Sequence, residues 1–220
     1  MNRAECISLC VENVRRCLKD KFILIGGASM MFLGSQRATN DIDILVSSKD
    51  VATTYSSLIA DKAFSNENGQ IRFRHAEFSP TLDILTLAVE MVTFEHASQH
   101  SISINQIRIP RLDYSLGMKI QCFYLRQDDE NGVSKRKSDL EDIKYLCKLM
   151  DEKSEQISDE CGNYFKFGHY HLLLLRQELG ENYTAIFIRI GGRNLSFHGT
   201  RTLMTSVIIS AFLLSRAPTH

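Results

Sequence analysis

The sequence has no excess of charge of either sign, because Lys and Arg together number 26 and so do Asp and Glu. This balance gives no global bias toward nucleic acid or an anionic membrane, although a local basic patch is compatible with it. Hydrophobic residues make up 44% of the 220 residues, and charged residues make up 24%. This composition excludes an intrinsically disordered chain and predicts one large domain, or one domain with a smaller appendage.

Long apolar runs and cysteine pairs are also missing. The longest late apolar run, Leu203 to Ser215, is shorter than the ~20 residues that a membrane-spanning helix needs. The stretch from Met1 to Lys21 is charged throughout, unlike a signal peptide. No CxxC pair and no histidine cluster at zinc spacing is present. We therefore predict reduced thiols in a protein of the cytoplasm, with the nucleus as the alternative, and no membrane partner. The six cysteines are Cys6, Cys10, Cys17, Cys122, Cys147 and Cys161.

Two common phosphate-binding motifs are absent as well. The sequence contains neither the GxGxxG fingerprint of dinucleotide-binding proteins nor the Walker phosphate loop, which disfavours a dinucleotide-dependent oxidoreductase. It also has no internal repeat, which disfavours a solenoid or a repeat array.

Hydrophobic periodicity predicts a sheet in the first half of the chain. Apolar residues from Ile7 to Leu18 recur at helical spacing, and a second helix ends at Gly34. A third helix is predicted to be capped by Asp50. The predicted strands cover residues 21–25, 41–46, 70–78, 81–87 and 101–110.

The second half is predicted to be mostly helical. A helix from residue 112 is followed by a polar loop over 128–137, and the next helix begins with a capping box formed by Ser138 and Glu141. The segment 134–137, with basic residues at 135–137, is interpreted as part of a solvated loop, with an RNA-facing patch as the alternative. A further helix is expected near 163–180, and residues 184–192 fit either a strand or a helix end.

This order of elements predicts an α/β (α+β) fold, with a mixed sheet flanked by helices and followed by a helical C-terminal part. We place the α/β domain at residues 1–110 and the helical region at 111–190. Residues 191–220 form a tail of uncertain structure.

A pair of glycines, Gly26 and Gly27, follows the first predicted strand and opens the short helix. Glycines at such a junction allow backbone N–H groups to approach an anion. The alternative is a tight turn without a ligand, and for an isolated Gly-Gly pair that alternative is favoured.

Three aspartates lie within predicted strands. Asp41 and Asp43 alternate with aliphatic residues, so their carboxylates lie on the same face of one strand. Such oxygen pairs suit Mg²⁺, although a solvated strand face explains an isolated pair equally well. Asp83 interrupts another apolar strand, where an unpaired acid is costly. Taken alone, Asp83 fits a salt-bridged or edge acid.

The stretch LIGGASMMFLGSQRATNDIDIL combines these features, since thirteen residues separate the glycine pair from Asp-Ile-Asp-Ile. It resembles the signature of the DNA polymerase β-like nucleotidyltransferase superfamily, and in particular the AbiEii-type nucleotidyltransferases. The later segments RLDYSLGMKIQCFYLR and KRKSDLEDIKYL resemble that group's further motifs, a helix that carries Lys and then a helix with a basic-Asp-x-x-Asp pattern. The resemblance covers about residues 22–149.

The resemblance implies roles for the glycines and aspartates. Gly26 and Gly27 would hold the triphosphate of a nucleoside triphosphate (NTP), the substrate. Asp41, Asp43 and Asp83 would bind two Mg²⁺ or Mn²⁺ ions. Asp83 would also help to deprotonate the attacking hydroxyl.

The resemblance also implies roles for residues outside the strands. Lys119 would contact phosphate, and Asp139 would be the first acid of the final motif, with Asp142 one turn further on. Arg37 is a candidate nucleotide contact, although it could equally organise its loop. Lys119 alone would be interpreted as a solvated lysine, and the two late acids could simply stabilise a helix N-terminus.

The function implied is Mg²⁺-dependent transfer of a nucleoside monophosphate (NMP) from an NTP to an acceptor hydroxyl. The acceptor stays open between RNA such as a tRNA 3′ end, a protein side chain and a small molecule. AbiEii-type proteins are known as toxins of toxin–antitoxin systems, so a neutralising partner protein is also implied. The alternative is a non-catalytic binding or scaffold protein with the same fold.

Overall fold

A five-stranded mixed sheet organises the fold in the computed structural model, which describes residues 2–76, 78–89 and 91–195. The strand order is β1-β2-β5-β4-β3. Strands β2 and β5 run parallel, and the other neighbouring strands are antiparallel. The strands are β1 (Ile23–Ile25), β2 (Asp41–Leu45), β3 (Phe64–Glu67), β4 (Gln70–Phe73) and β5 (Thr81–Leu85).

Two short hairpins follow the sheet. One consists of β6 (Leu87–Ala88) and β7 (Val92–Thr93), and the other of β8 (Ser101–Ile104) and β9 (Ile107–Pro110). The prediction of one strand over 101–110 was therefore wrong. The chain reverses at Asn105 and Gln106, which have φ angles of +50° and +65°. Positive φ at both central residues is the geometry of a tight hairpin turn, but Asn-Gln lacks the glycine that usually signals it.

The first four helices are α1 (Arg3–Leu18), α2 (Gly26–Phe32), α3 (Val51–Ala60) and α4 (Phe94–Gln99). The predicted apolar face of α1 is buried together with Ile42 and Ile44 of β2. Asp50 precedes α3 but makes no side-chain capping hydrogen bond, so that detail of the prediction was wrong. The predicted strand over 70–78 ends at Phe73.

Four further helices follow, α5 (Leu112–Leu125), α6 (Glu130–Glu152), α7 (Asp159–Tyr164) and α8 (His169–Arg189). Helix α8 includes residues 184–189 of the segment that fitted either a strand or a helix end, and it is kinked at Gly180. A 3₁₀ turn over Gly192–Leu195 ends the described part of the chain. The apolar run from Leu203 lies outside the described residues.

The polar loop predicted over 128–137 was wrong, because α6 already begins at Glu130. The side chain of Asp129 caps this helix by accepting a hydrogen bond from the backbone N–H of Gly132 at 2.6 Å. Ser138 lies inside the helix, where its hydroxyl donates to the carbonyl of Ser134, so it is not an N-cap. The first two turns of α6 are largely exposed, which explains why they have no apolar periodicity.

The C-terminal helices cover the other face of the sheet. Ile25 of β1 and Leu45 of β2 are buried in one cluster with residues of α5, α6, α7 and α8. Ile25 pairs with Asp43, and Leu45 lies two residues after Asp43 on the same face of β2. The helices therefore lie on the face that carries the acids. The predicted fold class, a mixed sheet flanked by helices with a helical C-terminal part, is confirmed. Among the described helices, none is both long enough and apolar enough to cross a bilayer.

Candidate functional site

Strand pairing brings the three predicted aspartates together. Asp43 of β2 and Asp83 of β5 are direct partners in the parallel register, and Asp41 lies two residues before Asp43. All three line one cavity of about 350 Å³ between the sheet and helices α5 and α6. The other predicted site residues that line the same cavity are Gly26, Gly27, Arg37, Lys119 and Asp139.

The carboxylate of Asp43 occupies a poorly solvated position beside two like charges. Burial first, and then the charges of Asp41 and Asp83, raise the pKa of Asp43 to about 6, although Lys119 and Lys135 act in the opposite direction. Two effects therefore disfavour the charged form of Asp43, namely poor solvation and repulsion by like charges. A cation bound at this face would relieve both.

The chemistry of this face fits Mg²⁺ or Mn²⁺ in one respect. Carboxylate oxygens are the ligands that these hard cations prefer, and Mg²⁺ commonly takes one or two carboxylates and completes its shell with water and substrate phosphates. Within the described residues, no three His, Cys, Asp or Glu side chains are already arranged to hold a metal ion. A site at this face would therefore use oxygen ligands from a bound nucleotide as well.

Thr39 orients one of the candidate ligands. Its side chain is buried, and its hydroxyl donates to Oδ1 of Asp41 at 2.6 Å. This bond occupies one carboxylate oxygen and fixes the direction in which the other one points. Thr39 therefore holds the carboxylate of Asp41 in position.

We expect Thr39→Val to raise the Mg²⁺ concentration that half-maximal NTP binding requires by roughly tenfold. The substitution removes one hydrogen bond to a charged group at nearly constant volume. Thr39→Ser keeps the hydroxyl and should restore the wild-type value. The measurement is a Mg²⁺ titration of NTP binding by calorimetry. Identical titrations for the valine variant and the wild type would contradict a positioning role.

The two glycines are required by close packing. Gly26 has a φ of +67°, a conformation that side chains disfavour, and an added Cβ would overlap the carboxylate of Asp43. An added Cβ on Gly27 would lie 2.7 Å from the hydroxyl oxygen of Thr39 and 3.1 Å from the guanidinium of Arg37. Both glycines therefore allow the acids and the preceding loop to approach the start of α2. Their contact with a triphosphate stays a prediction.

A chain of buried ion pairs forms the opposite wall of the cavity. Asp142, which is 1% exposed, accepts two hydrogen bonds from Arg37, at 2.7 and 2.8 Å, and its carboxylate lies 2.7 Å from the ammonium of Lys119. Lys119 also donates to Asp139 at 3.2 Å, and Asp139 accepts from Arg126 at 2.8 Å. Three cations and two anions alternate, so this wall carries a net positive charge opposite the acids.

The network changes the interpretation of several predicted residues. Lys119 is nearly buried, and burial alone would lower its pKa. The nearby carboxylates of Asp142 and Asp139 outweigh this effect and raise the pKa overall. The two acids thus anchor cations instead of stabilising a helix N-terminus. Arg126 was missed, although it follows Lys119 by seven residues, two helical turns, which is a spacing that could have indicated a shared face.

Comparisons with known proteins give similarity in fold alone. No protein-family model matches the chain, and no curated protein matches it significantly. One similar solved structure is JHP933 from Helicobacter pylori, with a TM-score of 0.46 and 14% identity, covering 89% of this chain and 91% of that chain. Another is a candidate nucleotidyltransferase from H. pylori, with a TM-score of 0.45 and 15% identity, covering 89% of this chain and 94% of that chain.

Proposed function

We propose that the protein is a Mg²⁺-dependent nucleotidyltransferase of the AbiEii type, which moves NMP from an NTP to an acceptor hydroxyl. The observation that carries this proposal is the placement of Asp41, Asp43 and Asp83 on one face of two paired strands, opposite a cationic wall and beside Gly26-Gly27. An acidic face and a basic face across one cavity match a substrate that is a polyanion bound together with divalent cations.

The aspartates and Lys119 would have different roles in this reaction. Asp41, Asp43 and Asp83 would hold the cations, with Thr39 orienting Asp41, and bound Mg²⁺ would supply charge neutralisation at the phosphates. Lys119, held by two carboxylates, would contribute a fixed positive charge.

Asp83 would accept the proton of the acceptor hydroxyl. The acceptor oxygen would form a bond to the α-phosphorus, and the bond between the α-phosphorus and its bridging oxygen would break. The electron pair of that bond would leave with pyrophosphate. Catalysis of this kind depends mainly on alignment and on electrostatic stabilisation.

The acceptor is proposed to be RNA, a protein side chain or a small molecule, and a neutralising partner protein belongs to the same proposal. Incubation of the purified protein with each α-³²P-labelled NTP, Mg²⁺ and either total RNA or a cell lysate would show which base is used and where the label goes. We expect label transfer from at least one NTP that depends on Mg²⁺ or Mn²⁺. If neither material nor any small hydroxyl compound becomes labelled from any of the four NTPs, the non-catalytic scaffold alternative replaces this proposal.

A further inference from the structure

One residue of the cavity, Lys135, belongs to a segment that the sequence analysis interpreted as a solvated loop. In the structure it lies on the second turn of α6. Lys135, Ser138 and Asp139 all line the cavity, and the buried Asp142 follows at the same helical spacing. This stripe of α6 therefore faces the three aspartates.

Lys135 differs from the other cations of the cavity. Arg37, Lys119 and Arg126 each form an ion pair with a buried carboxylate. Lys135 is exposed, and among the described residues its ammonium has no ion-pair partner. An exposed ammonium without an ion-pair partner among the described residues thus lines the cavity that holds the three aspartates.

The two neighbouring basic residues do not share this position. Arg136 donates to the carboxylate of Asp128 at 2.6 Å and to the backbone carbonyl of Arg126 at 2.9 Å. Lys137 is exposed and does not line the cavity. The basic run 135–137 therefore has three different environments, and only one of its cations faces the aspartates.

We propose that Lys135 binds the terminal phosphates of the nucleoside triphosphate, the part that leaves as pyrophosphate. This inference rests on the proposed function. The three paired cations of the cavity have already exchanged much of their interaction with water for carboxylate contacts. Lys135, in contrast, can donate all three of its N–H bonds to an incoming polyanion. Its flexible stem also allows it to follow phosphates that move away as the product leaves.

The test compares Lys135→Ala with Lys137→Ala, a matched change on the same helix outside the cavity. Calorimetry in Mg²⁺ would use inorganic tripolyphosphate, the non-hydrolysable NTPs and the corresponding NMPs as probes. We expect Lys135→Ala to raise the Kd for tripolyphosphate and for the NTPs about tenfold to a hundredfold, as expected for losing one charge-assisted contact. NMP binding should stay unchanged, and Lys135→Arg should recover most of the loss.

Several results would overturn this inference. Equal weakening by Lys137→Ala would show that only general surface charge is involved, and equal weakening for NMP would place Lys135 away from the terminal phosphates. If the wild type transfers nucleotide while Lys135→Ala binds NTP normally, the inference fails and the proposed function stands. If the wild type neither binds tripolyphosphate nor transfers label from any NTP, the proposed function fails, and the inference fails with it.

Discussion

Replacing Asp43 with asparagine is expected to abolish nucleotide transfer and to raise the melting temperature of the metal-free protein above about pH 6. Asparagine keeps the shape of the side chain but cannot ionise. The transfer is lost because a candidate metal ligand loses its charge, while Ile42 and Ile44 on the opposite face of β2 remain buried, so the core is unchanged.

The gain in stability follows from the raised pKa of Asp43. Its pKa in the folded protein is about 6, against 3.8 as the ordinary value, so the unfolded chain releases this proton at a lower pH than the folded chain does. The wild type therefore loses stability as the pH rises from about 4 to 6, and by pH 8 the loss reaches at most roughly 3 kcal/mol. Asp43→Asn removes this loss, so its advantage should be large at pH 8 and nearly absent at pH 4.

Thermal unfolding at pH 4, 6 and 8 with a chelator present measures the effect, and the label-transfer assay measures the activity. Asp20→Asn, at an exposed position, is the matched control and should change neither property. If Asp43→Asn unfolds the protein, Asp43 is a structural acid. If the variant still transfers nucleotide at the wild-type rate, the assignment of this carboxylate to the cation is wrong.

The second large effect is expected from Asp142→Asn, which should lower the free energy of unfolding by about 3–5 kcal/mol. Asp142 makes three close contacts within the ion-pair wall, two with the guanidinium of Arg37 and one with the ammonium of Lys119. An asparagine would remove the counter-charge that Arg37 and Lys119 share, at a side chain that is only 1% exposed. Nucleotide transfer should also fall, because both cations lose the anchor that fixes their position.

Urea unfolding measures this change, and Glu141→Gln on the preceding position of α6 is the control. Glu141 is 57% exposed and pairs with Lys144 one turn away. Exposed pairs of this kind contribute about 0–1 kcal/mol, so the control should unfold near the wild-type midpoint. Equal midpoints for Asp142→Asn and the wild type would show that the buried carboxylate does not stabilise the fold.

The parts of the fold that were predictable from sequence are those with a short local period. The alternation around Asp41 and Asp43 defines both the strand and the face that the acids share, and the apolar spacing from Ile7 to Leu18 defines α1. Neither pattern needs knowledge of a distant partner. The start of α6 could not be predicted in this way, because an exposed helix with little buried surface in its first two turns shows no apolar period.

The partners of the site residues could not be read from the sequence either. Asp142 looks like an ordinary acid near a helix start, and its environment depends on Arg37, which lies 105 residues earlier. Lys135 looks like part of a solvated basic run, and only the packing of α6 over the sheet separates it from Arg136. Local sequence indicates which side chains can ionise, whereas tertiary packing decides which of them are neutralised.

The distance along the chain between Arg37 and Asp142 has a consequence during protein synthesis. A nascent chain that ends before α6 already contains both glycines, the three strand aspartates and Lys119. It lacks the carboxylates that hold Arg37 and Lys119 in place, so the cationic wall cannot form. A chain that ends before α6 is therefore expected to be inactive. The site becomes complete only after α6 has been synthesised and has packed against the sheet.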